Sequence, residues 1–546
     1  MSETTETKQL LQNLYTIVIV VVVGMAIGRI FAVERVYEPS LYAGERWPKK
    51  APPALPTFSS NDRSRWATVR ALVDHNTYSI GTRTIVVLGE NNLNRDRCTW
   101  QEGRRELTHA NLIVPGVGNY TPGCGPAGPI SQVALASLVT EAELFAPNWE
   151  SGWDTVDKVL HPETKKFYST KPPLLPTIMA GLYWLLWQLT GWTFATDVWK
   201  VVKTIVILVN VVPFVVYLAF LAKLLERFCR DDWSRLLIFA TAGFGTLVTP
   251  FLISINNHTV ATFSVLFALY SALMILCGEK DGSRVGSEAS PLHFLNAGSF
   301  SAFAVCNELP VAAFLAGITF VLLLRAPAKT LLYFVPPVIG LTIAFFFTNY
   351  IATGEWLPLY TKFGSEWYQF EGSHWSKPEG NREGIDFASD FEPRSAYIFH
   401  ALLGHHGWFS LTPIWLLALG GMLAGAFKTK HTLSGTKTMA DRLPWYFYPM
   451  VLLLSVIIIG FYLTRSGNLN YSGWSAGLRW LMWLTPMWLL CLIPTLEGIG
   501  KSVFGRWIGY VLLGFSILSA SFPAWNPWRH PWIYRAMDAI EPLYVQ

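Results

Sequence analysis

Residues 161–192 read HPETKKFYSTKPPLLPTIMAGLYWLLWQLTGW, and this stretch decides how the fold of the chain around it is interpreted. A charged and aromatic segment runs directly into Pro172 and Pro173, and an apolar run follows. Two prolines suit the first turn of a helix but not its interior, and they keep the preceding Lys171 out of helical geometry. The sequence therefore predicts a helix after the prolines, with Lys171 held at its rigid entrance.

Composition restricts the class of protein. The chain has 546 residues, of which 51% are hydrophobic and only 14% are charged, so an ordinary soluble protein is excluded. Its net charge of +5 is small, and the basic residues are spread over short loops, which argues against nucleic acid as a partner. We expect an all-α polytopic membrane protein.

Apolar runs and loop charges predict the membrane topology. The first span falls at residues 15–33, and the others at 199–222, 236–253, 258–277, 293–306, 309–324, 331–350, 408–427, 445–463, 477–496 and 507–522. If the helix at 174–190 lies along the membrane without crossing, Lys and Arg concentrate in alternate loops, as the positive-inside rule requires. The sequence thus predicts about 11 transmembrane helices and an external C-terminus.

The remaining segments complete the predicted domain organisation. Residues 1–33 form the cytoplasmic N-terminus and the first span. Residues 34–192 form an external loop of mixed α/β structure, with juxtamembrane helices and an inserted subdomain at about 91–130. Spans occupy 193–350 and 408–522, separated by an external loop and surface helix at 351–407, and 523–546 is an external tail. Cys98 and Cys124 form the one plausible disulfide.

Two apolar runs have unusual lengths. Residues 395–427 would make a helix of about 50 Å, too long for a bilayer core of about 30 Å, so we expect a break at residues 404–407. The run 293–306 is short and rich in small residues, which favours close helix packing. Its end at residues 307–310 should therefore lie below the membrane surface, at the floor of a cavity.

Two ordered motifs carry a family resemblance. Residues 168–174 read YSTKPPL and are followed by Tyr183 and Trp184, and residues 62–67 upstream read DRSRWA. They resemble the Y-x-E-K-P-P-L…Y-W and D-E-x-R-Y-A patterns of the polyprenyl-phosphate-sugar-dependent glycosyltransferases of GT-C fold, the protein O-mannosyltransferase and aminoarabinose transferase relatives. The match covers the first third of the chain, and Thr170 stands where the family has Glu.

The resemblance implies a GT-C-like fold and roles for particular residues. Asp62 would be the general base, because an acidic residue in the first external loop is catalytic in that superfamily; the alternative is that Asp62 caps the helix beginning near Arg63. Lys171 would hold the lipid phosphate, with Tyr168 beside it, although an interfacial lysine can also simply reach the membrane surface. Arg479, in a segment similar to the family's G-G-W-x-x-G-x-R element, would be a second phosphate ligand or an interfacial anchor.

A possible metal site is predicted from the types of residue at the external helix ends. Glu308, His258, His405 and His406 all map to external helix ends, where they could converge on a divalent ion or, for Glu308, on substrate. Histidines at such ends are more often hydrogen-bonded structural groups. The second external loop, residues 254–259, has no carboxylate, unlike metal-binding relatives, so no cofactor is certain.

These observations predict an inverting glycosyltransferase in the bacterial inner membrane, with its site on the external face. Its partners would be a polyprenyl-phosphate sugar donor, membrane lipids and a lipid, glycan or protein acceptor. The aromatic loop at 351–394 could stack on a sugar or belong to an interfacial aromatic belt. The main alternative is a noncatalytic subunit that uses the GT-C scaffold to bind lipid or organise a complex. A transporter is third, because no internal repeat is visible.

Overall fold

A computed structural model describes residues 5–33, 55–87, 112–114, 118–120, 141–146, 155–278, 286–370, 373–375, 393–427, 443–464, 471–473 and 475–537. Most of the inserted subdomain, including Cys98 and Cys124, lies outside these ranges. The chain divides into two compact units, one formed by Glu34–Val201 and Phe346–Lys377 and the other by Met1–Val33, Val202–Phe345 and Pro378–Gln546. We call them the loop unit and the helical unit.

Fifteen helices are found in the described ranges. In chain order they are α1 (Thr5–Ala32), α2 (Ser60–Asp74), α3 (Leu174–Thr190), α4 (Val198–Phe228), α5 (Asp232–Phe244), α6 (Asn257–Cys277), α7 (Pro291–Asn307), α8 (Leu309–Arg325), α9 (Pro327–Thr353), α10 (Arg394–Leu402), α11 (Trp408–Leu411), α12 (Trp415–Phe427), α13 (Phe447–Thr464), α14 (Arg479–Ile499) and α15 (Val503–Ser521).

Six short strands lie in the described part of the loop unit. They are β1 (Gly81–Val87), β2 (Leu112–Val114), β3 (Gly118–Tyr120), β4 (Glu141–Ala146), β5 (Lys158–Leu160) and β6 (Lys166–Ser169). They form one antiparallel sheet in the order β3-β2-β4-β1-β6-β5. The register places Gly81 opposite Phe167 and Lys158 opposite Ser169. The predicted combination of helices and strands in this part of the chain is therefore present.

Among the described residues, seven helices are long and apolar enough to cross a membrane, which indicates a helical membrane protein. They are α1 from Lys8, α4, α6, α9, α13, α14 and α15, and each coincides with a predicted span. In the helical unit, α6 and α14 are largely buried, whereas α9 and α13 expose apolar side chains such as Leu331, Ile343 and Phe461. Exposed apolar side chains on long helices suit contact with lipid.

The other four predicted spans coincide with shorter helices, so the count of eleven stays a prediction. The run 236–253 is not one helix: α5 ends at Phe244, and a separate 3₁₀ turn covers Pro250–Ile253. Gly245 N–H donates to the Thr241 carbonyl at the end of α5, and Pro250 is the first residue of the 3₁₀ turn. Helices α7 and α8 have 17 residues each, and α3, predicted not to cross, also has 17.

The predicted break near residues 404–407 is confirmed. Helix α10 ends at Leu402, and α11 begins at Trp408 after a turn in which Gly407 N–H donates to the Gly404 carbonyl. Residues 412–414 separate α11 from α12, so the predicted span at 408–427 is not one continuous helix, and the span itself stays a prediction. Pro413 explains this second break, since it has no N–H to donate within a helix.

Close packing around α7 follows from its small residues, as the sequence predicted. Ala297 and Gly298 lie against Phe334 of α9, in a cluster with Phe294 and Leu322. A Cβ atom at Gly298 would overlap the Phe334 carbonyl oxygen and approach the Phe334 carbonyl carbon to 3.0 Å. The two backbones can approach this closely only because position 298 has no side chain.

Gly298→Ala is therefore expected to lower the thermal midpoint of the purified protein in detergent. Overpacking of this kind costs about 1–3 kcal/mol. Gly340→Ala is the matched control, because no described atom lies within 4 Å of a Cβ built there. Equal midpoints for Gly298→Ala and wild type would contradict the close contact between α7 and α9.

Candidate functional site

The start of α2 fixes the position of Asp62. Ser59 is the N-cap residue, and its hydroxyl accepts a hydrogen bond from Asp62 N–H at 3.2 Å. In return, Asp62 Oδ2 accepts one from Phe58 N–H at 3.0 Å. Because α2 begins at Ser60, the expectation that Asp62 itself caps a helix starting near Arg63 is wrong. The reciprocal bonds resemble a capping box, in which the cap residue and the third helical residue bond each other's backbone.

Asp62 is buried and only partly satisfied. Asp62 is 1% exposed, and its Oδ1 has no hydrogen-bond partner among the described residues. Burial raises the pKa of Asp62 to about 7, against the opposing effects of the Phe58 N–H and of Arg65 and Arg63. A carboxylate with this pKa takes up or releases a proton near neutral pH, which is the property required of a general base.

Lys171 forms an ion pair that the sequence did not reveal. Its Nζ lies 3.0 Å from Asp157 Oδ1, and the two side chains are 20% and 10% exposed. As predicted, Lys171 is followed directly by a helix, since Pro173 is the N-cap residue of α3. Asp157 belongs to no motif and lies 14 residues upstream, so no sequence signal pointed to it.

Hydrogen bonds connect the Lys171 segment with the helix of Asp62. Ser64 Oγ donates to the Asp157 carbonyl at 2.9 Å and is also hydrogen-bonded to Ser169 Oγ. Lys171 N–H donates to the same Ser169 oxygen at 3.1 Å. The two family-like motifs therefore meet in the loop unit, although about a hundred residues separate them in sequence.

Tyr168 mainly packs against other buried side chains. It is 9% exposed and lies in a cluster with Val159, Trp367 and Tyr368. Burial raises its pKa, so the phenol stays neutral at physiological pH. Its predicted role in substrate binding stays a prediction.

The aromatic residues of the predicted loop at 351–394 have two different environments. Trp367 and Tyr368 are buried, and the Trp367 carbonyl accepts a hydrogen bond from Leu160 N–H at 3.0 Å. Trp356 and Tyr360 are exposed. The buried rings support the sheet, and only the exposed rings are available to a sugar or lipid. Residues 371, 372 and 376–392 lie outside the described ranges.

Glu308 and His258 come together in the helical unit. His258 Nδ1 lies 2.5 Å from Glu308 Oε1, which also accepts a hydrogen bond from the Asn257 amide. Both side chains are buried, at 5% and 7% exposure. The pair joins the start of α6 to the end of α7, so the prediction that these helix ends converge is supported.

A buried network continues from α6 to Arg479. The amide of Asn210 donates to the carbonyls of Leu252 and Ser254, and the Ser254 hydroxyl accepts a hydrogen bond from Trp528 Nε1 at 2.8 Å. The guanidinium of Arg479 lies over the Trp528 ring, 4.4 Å from its centre. Such a cation–π contact holds the arginine in one orientation.

Arg479 is also fixed from its other side. Its Nε donates to the Ser472 carbonyl at 2.9 Å. Its chain neighbours Leu478 and Trp480 line a small apolar pocket together with Tyr397, Leu402 and Tyr462 among others. Sequence reasoning missed Trp528, because an aromatic residue in a Trp-rich tail gives no sign of its partner.

His405 and His406 are neighbours in the turn between α10 and α11. Their Nδ1 atoms lie 2.5 Å apart, and both residues are buried. His400 stacks on His405 with ring centres 4.0 Å apart, and His530 lies 5.9 Å from His406. The sequence singled out two of these four histidines and missed the other two.

The predicted metal ligands do not form one set of three in the described residues. Within those ranges, the one group of three potential ligand atoms within 4.8 Å comprises Cys229, Asp231 and Glu497. Asp231 caps α5 through Ser234 N–H, and Glu497 accepts from Arg230 N–H at 2.6 Å. Burial raises the pKa of Cys229, which opposes the thiolate form that metals bind. Helix capping explains this group without a metal.

Comparisons with known proteins give no relative: no family model, no curated protein and no solved structure matches the chain. The class of protein is therefore defined by the fold alone. In the ranges that the structure describes, the chain is mostly helical, with seven helices of membrane-spanning length and composition.

Proposed function

We propose that the protein is a GT-C-type glycosyltransferase that moves a sugar from a polyprenyl-phosphate carrier to a hydroxyl on the external face of the bacterial inner membrane. The observation that carries this proposal is the buried Asp62 carboxylate, whose pKa is raised to about 7 and whose Oδ1 has no partner in the described part of the chain. A buried charge is costly, and a raised carboxylate pKa is common at catalytic sites.

The proposed step requires one base and a site for phosphate. The acceptor oxygen attacks the anomeric carbon while the bond between that carbon and the phosphate oxygen breaks. Asp62 accepts the hydroxyl proton, and the lipid phosphate leaves as an anion that needs little protonation. Attack opposite the leaving group gives inversion.

Lys171 is the proposed phosphate ligand in the loop unit, and Arg479 is a separate candidate in the helical unit. Lys171 is paired with Asp157, so a phosphate would join an existing ion pair. The Arg479 guanidinium is held in place by the Trp528 ring and the Ser472 carbonyl. Charge-assisted contacts of this kind stabilise a leaving phosphate.

A noncatalytic lipid-binding subunit is the second candidate. Thr170 occupies the position of the family's Glu, and the Lys171–Asp157 pair also suits a purely structural role. This candidate shares lipid binding with the first but predicts no turnover.

The deciding experiment is to incubate the purified protein with labelled polyprenyl-phosphate sugars, with and without divalent ions, and to measure sugar release and lipid binding in the same samples. Transfer or release of sugar supports the glycosyltransferase. Binding of polyprenyl phosphate without turnover on any donor supports the subunit. Failure to bind polyprenyl phosphate rejects both.

A further inference from the structure

One face of α2 carries side chains with hydrogen-bonding groups at every fourth position, namely Asp62, Trp66, Arg70 and Asp74. Residues four apart on a helix are neighbours on its surface, with Cβ atoms about 5–6 Å apart. In the C-terminal half of this face, Arg70 Nε lies 3.6 Å from Asp74 Oδ2, and Asp74 Oδ1 accepts a hydrogen bond from the Tyr183 hydroxyl at 2.8 Å. The N-terminal half, formed by Asp62 and Trp66, is different, because it keeps hydrogen-bonding atoms that no described residue satisfies.

Asp62 and Trp66 leave one acceptor and one donor unused. Both residues are buried, at 1% and 0% exposure. Neither Asp62 Oδ1 nor Trp66 Nε1 has a hydrogen-bond partner among the described residues. Buried polar groups in folded proteins are nearly always hydrogen-bonded, to protein or to an ordered water. An unused acceptor and an unused donor at neighbouring positions of one helix face therefore indicate a site for a third group.

The indole of Trp66 is held in one orientation. The Phe194 ring packs edge-on against it, with ring centres 6.0 Å apart, and the Tyr183 ring packs on Phe194 at 4.5 Å. Phe194 N–H donates to the Tyr183 hydroxyl at 3.1 Å, which fixes the position of Phe194. Burial raises the pKa of Asp62, and the Trp66 N–H is one of the groups that oppose this effect. The donor of Trp66 therefore faces the carboxylate without forming an ordinary hydrogen bond to it.

The third group must accept one hydrogen bond and donate another. The indole N–H can only donate, and an ionised carboxylate can only accept. A hydroxyl group or a water molecule meets both requirements. An ammonium group has no lone pair for the Trp66 N–H, and an ionised carboxylate or phosphate has no proton for Asp62 Oδ1. The pair of side chains is therefore suited to a neutral hydroxyl.

We propose that Asp62 and Trp66 bind the hydroxyl group of the sugar acceptor between them, and that one water molecule takes its place when no acceptor is bound. Trp66 N–H donates to the hydroxyl oxygen, and the hydroxyl proton points at Asp62 Oδ1. As Asp62 removes this proton, negative charge develops on the oxygen, and the Trp66 N–H stabilises it. This inference rests on the proposed function and deepens it: the acceptor is an alcohol, and Trp66 is the residue that orients it.

Two substitutions at position 66 test the role of the indole N–H, with water as the acceptor. Trp66→Phe removes the donor but keeps an aromatic ring, and Trp66→Tyr restores a donor on a ring of similar size. We expect Trp66→Phe to release sugar from a labelled polyprenyl-phosphate sugar roughly 10-fold more slowly than wild type, the equivalent of one hydrogen bond between neutral groups. Donor binding should not change, and Trp66→Tyr should lose less activity than Trp66→Phe.

The matched control is Trp184→Phe, at an exposed tryptophan of the loop unit, which should release sugar at the wild-type rate. The proposal is overturned if Trp66→Phe also releases sugar at that rate. Equal losses in Trp66→Phe and Trp66→Tyr would assign the defect to packing of the ring and would likewise overturn it.

A measurement that needs no turnover separates this inference from the proposed function. The protein is labelled with ¹⁵N in its indole groups, and the Trp66 resonance is identified by its loss in Trp66→Phe. Its chemical shift should change between about pH 6 and pH 8 in wild type, where Asp62 ionises, and should stay constant in Asp62→Asn. A nuclear Overhauser effect from the Trp66 N–H to a bound water is expected in wild type.

These signals have separate consequences for the two proposals. A Trp66 resonance that does not titrate, or that shows no Overhauser effect to water, overturns the hydroxyl site even in a protein that transfers sugar. Both signals in a protein that turns over no donor would support the hydroxyl site and reject the glycosyltransferase.

Discussion

Asp62→Asn is expected to reduce sugar transfer by roughly 100- to 10,000-fold while leaving binding of the polyprenyl-phosphate donor unchanged. This range is the usual contribution of a general base. The amide oxygen of Asn can still accept the hydrogen bond from Phe58 N–H, so the start of α2 should keep its geometry. Single-turnover transfer and donor binding are measured on the same preparation.

The matched control for this substitution is Asp197→Asn. Asp197 lies in the same unit but is paired with Lys200 near the surface, where ion pairs contribute little to stability. Its activity should equal that of wild type. If Asp62→Asn transfers sugar at the wild-type rate, Asp62 is not the base.

The pH dependence of the reaction should also report the ionisation of Asp62. Because a base must be deprotonated and the pKa of Asp62 is about 7, the kcat/KM of wild type should fall roughly tenfold for each pH unit below 7. It should level off above about pH 8. A profile that is flat between pH 5.5 and 8 would contradict the assignment.

The free energy of unfolding should fall as the pH rises, in the opposite direction to kcat/KM. The folded-state pKa of about 7 is above the ordinary value of 3.8 for an aspartic acid, so the native state binds the proton more tightly, and this contribution to stability is lost as the pH rises from about 4 to 7. At pH 8 the buried charge costs about 4 kcal/mol. Asp62→Asn should therefore be at least as stable as wild type at pH 8, and its advantage should shrink toward pH 5. A free energy of unfolding that does not fall between pH 5 and 8 in wild type would contradict the raised pKa of Asp62.

Lys171→Ala is expected to weaken binding of polyprenyl phosphate by roughly 10- to 100-fold, the equivalent of one lost charge-assisted hydrogen bond. The same substitution leaves the Asp157 carboxylate, whose side chain is 10% exposed, without its cation. We therefore expect a loss of about 1–3 kcal/mol in the free energy of unfolding. Lipid binding and denaturation are measured separately.

A double variant distinguishes lost binding from lost stability. Lys171→Gln combined with Asp157→Asn replaces the ion pair by two neutral amides, which can still bond each other. It should recover most of the stability without recovering lipid binding. Lys200→Ala, an exposed lysine of the same unit, should bind lipid normally. Wild-type lipid binding by the double variant would show that Lys171 does not contact the phosphate.

Local features of the structure could be predicted from the sequence because they depend on neighbouring residues. Apolar runs of sufficient length indicated the seven long helices, and the pair Pro172 and Pro173 indicated the start of α3. Gly404 and Gly407 indicated the break before α11. The apolar runs at residues 236–253 and 408–427 gave no sign of the breaks within them, and in the second run the break contains Pro413.

Only some residues of the candidate site could be predicted from the sequence. Asp62 and Lys171 were recognised from motifs, but the partner of Lys171 is Asp157, and Arg479 lies on Trp528. These partners have no fixed sequence spacing, because the chain between them can take any path that ends in contact. His400 and His530 were missed for the same reason.

The sequence by itself determined the class of protein, the start of α3, and the residue types available for chemistry, since propensity, hydropathy and proline geometry act over a few residues. Only the tertiary structure decided that Asp62 is buried to 1% exposure with a pKa of about 7 and that four histidines share one cluster. Burial and electrostatic environment are properties of the packed chain, because they depend on which distant segments exclude water from a side chain.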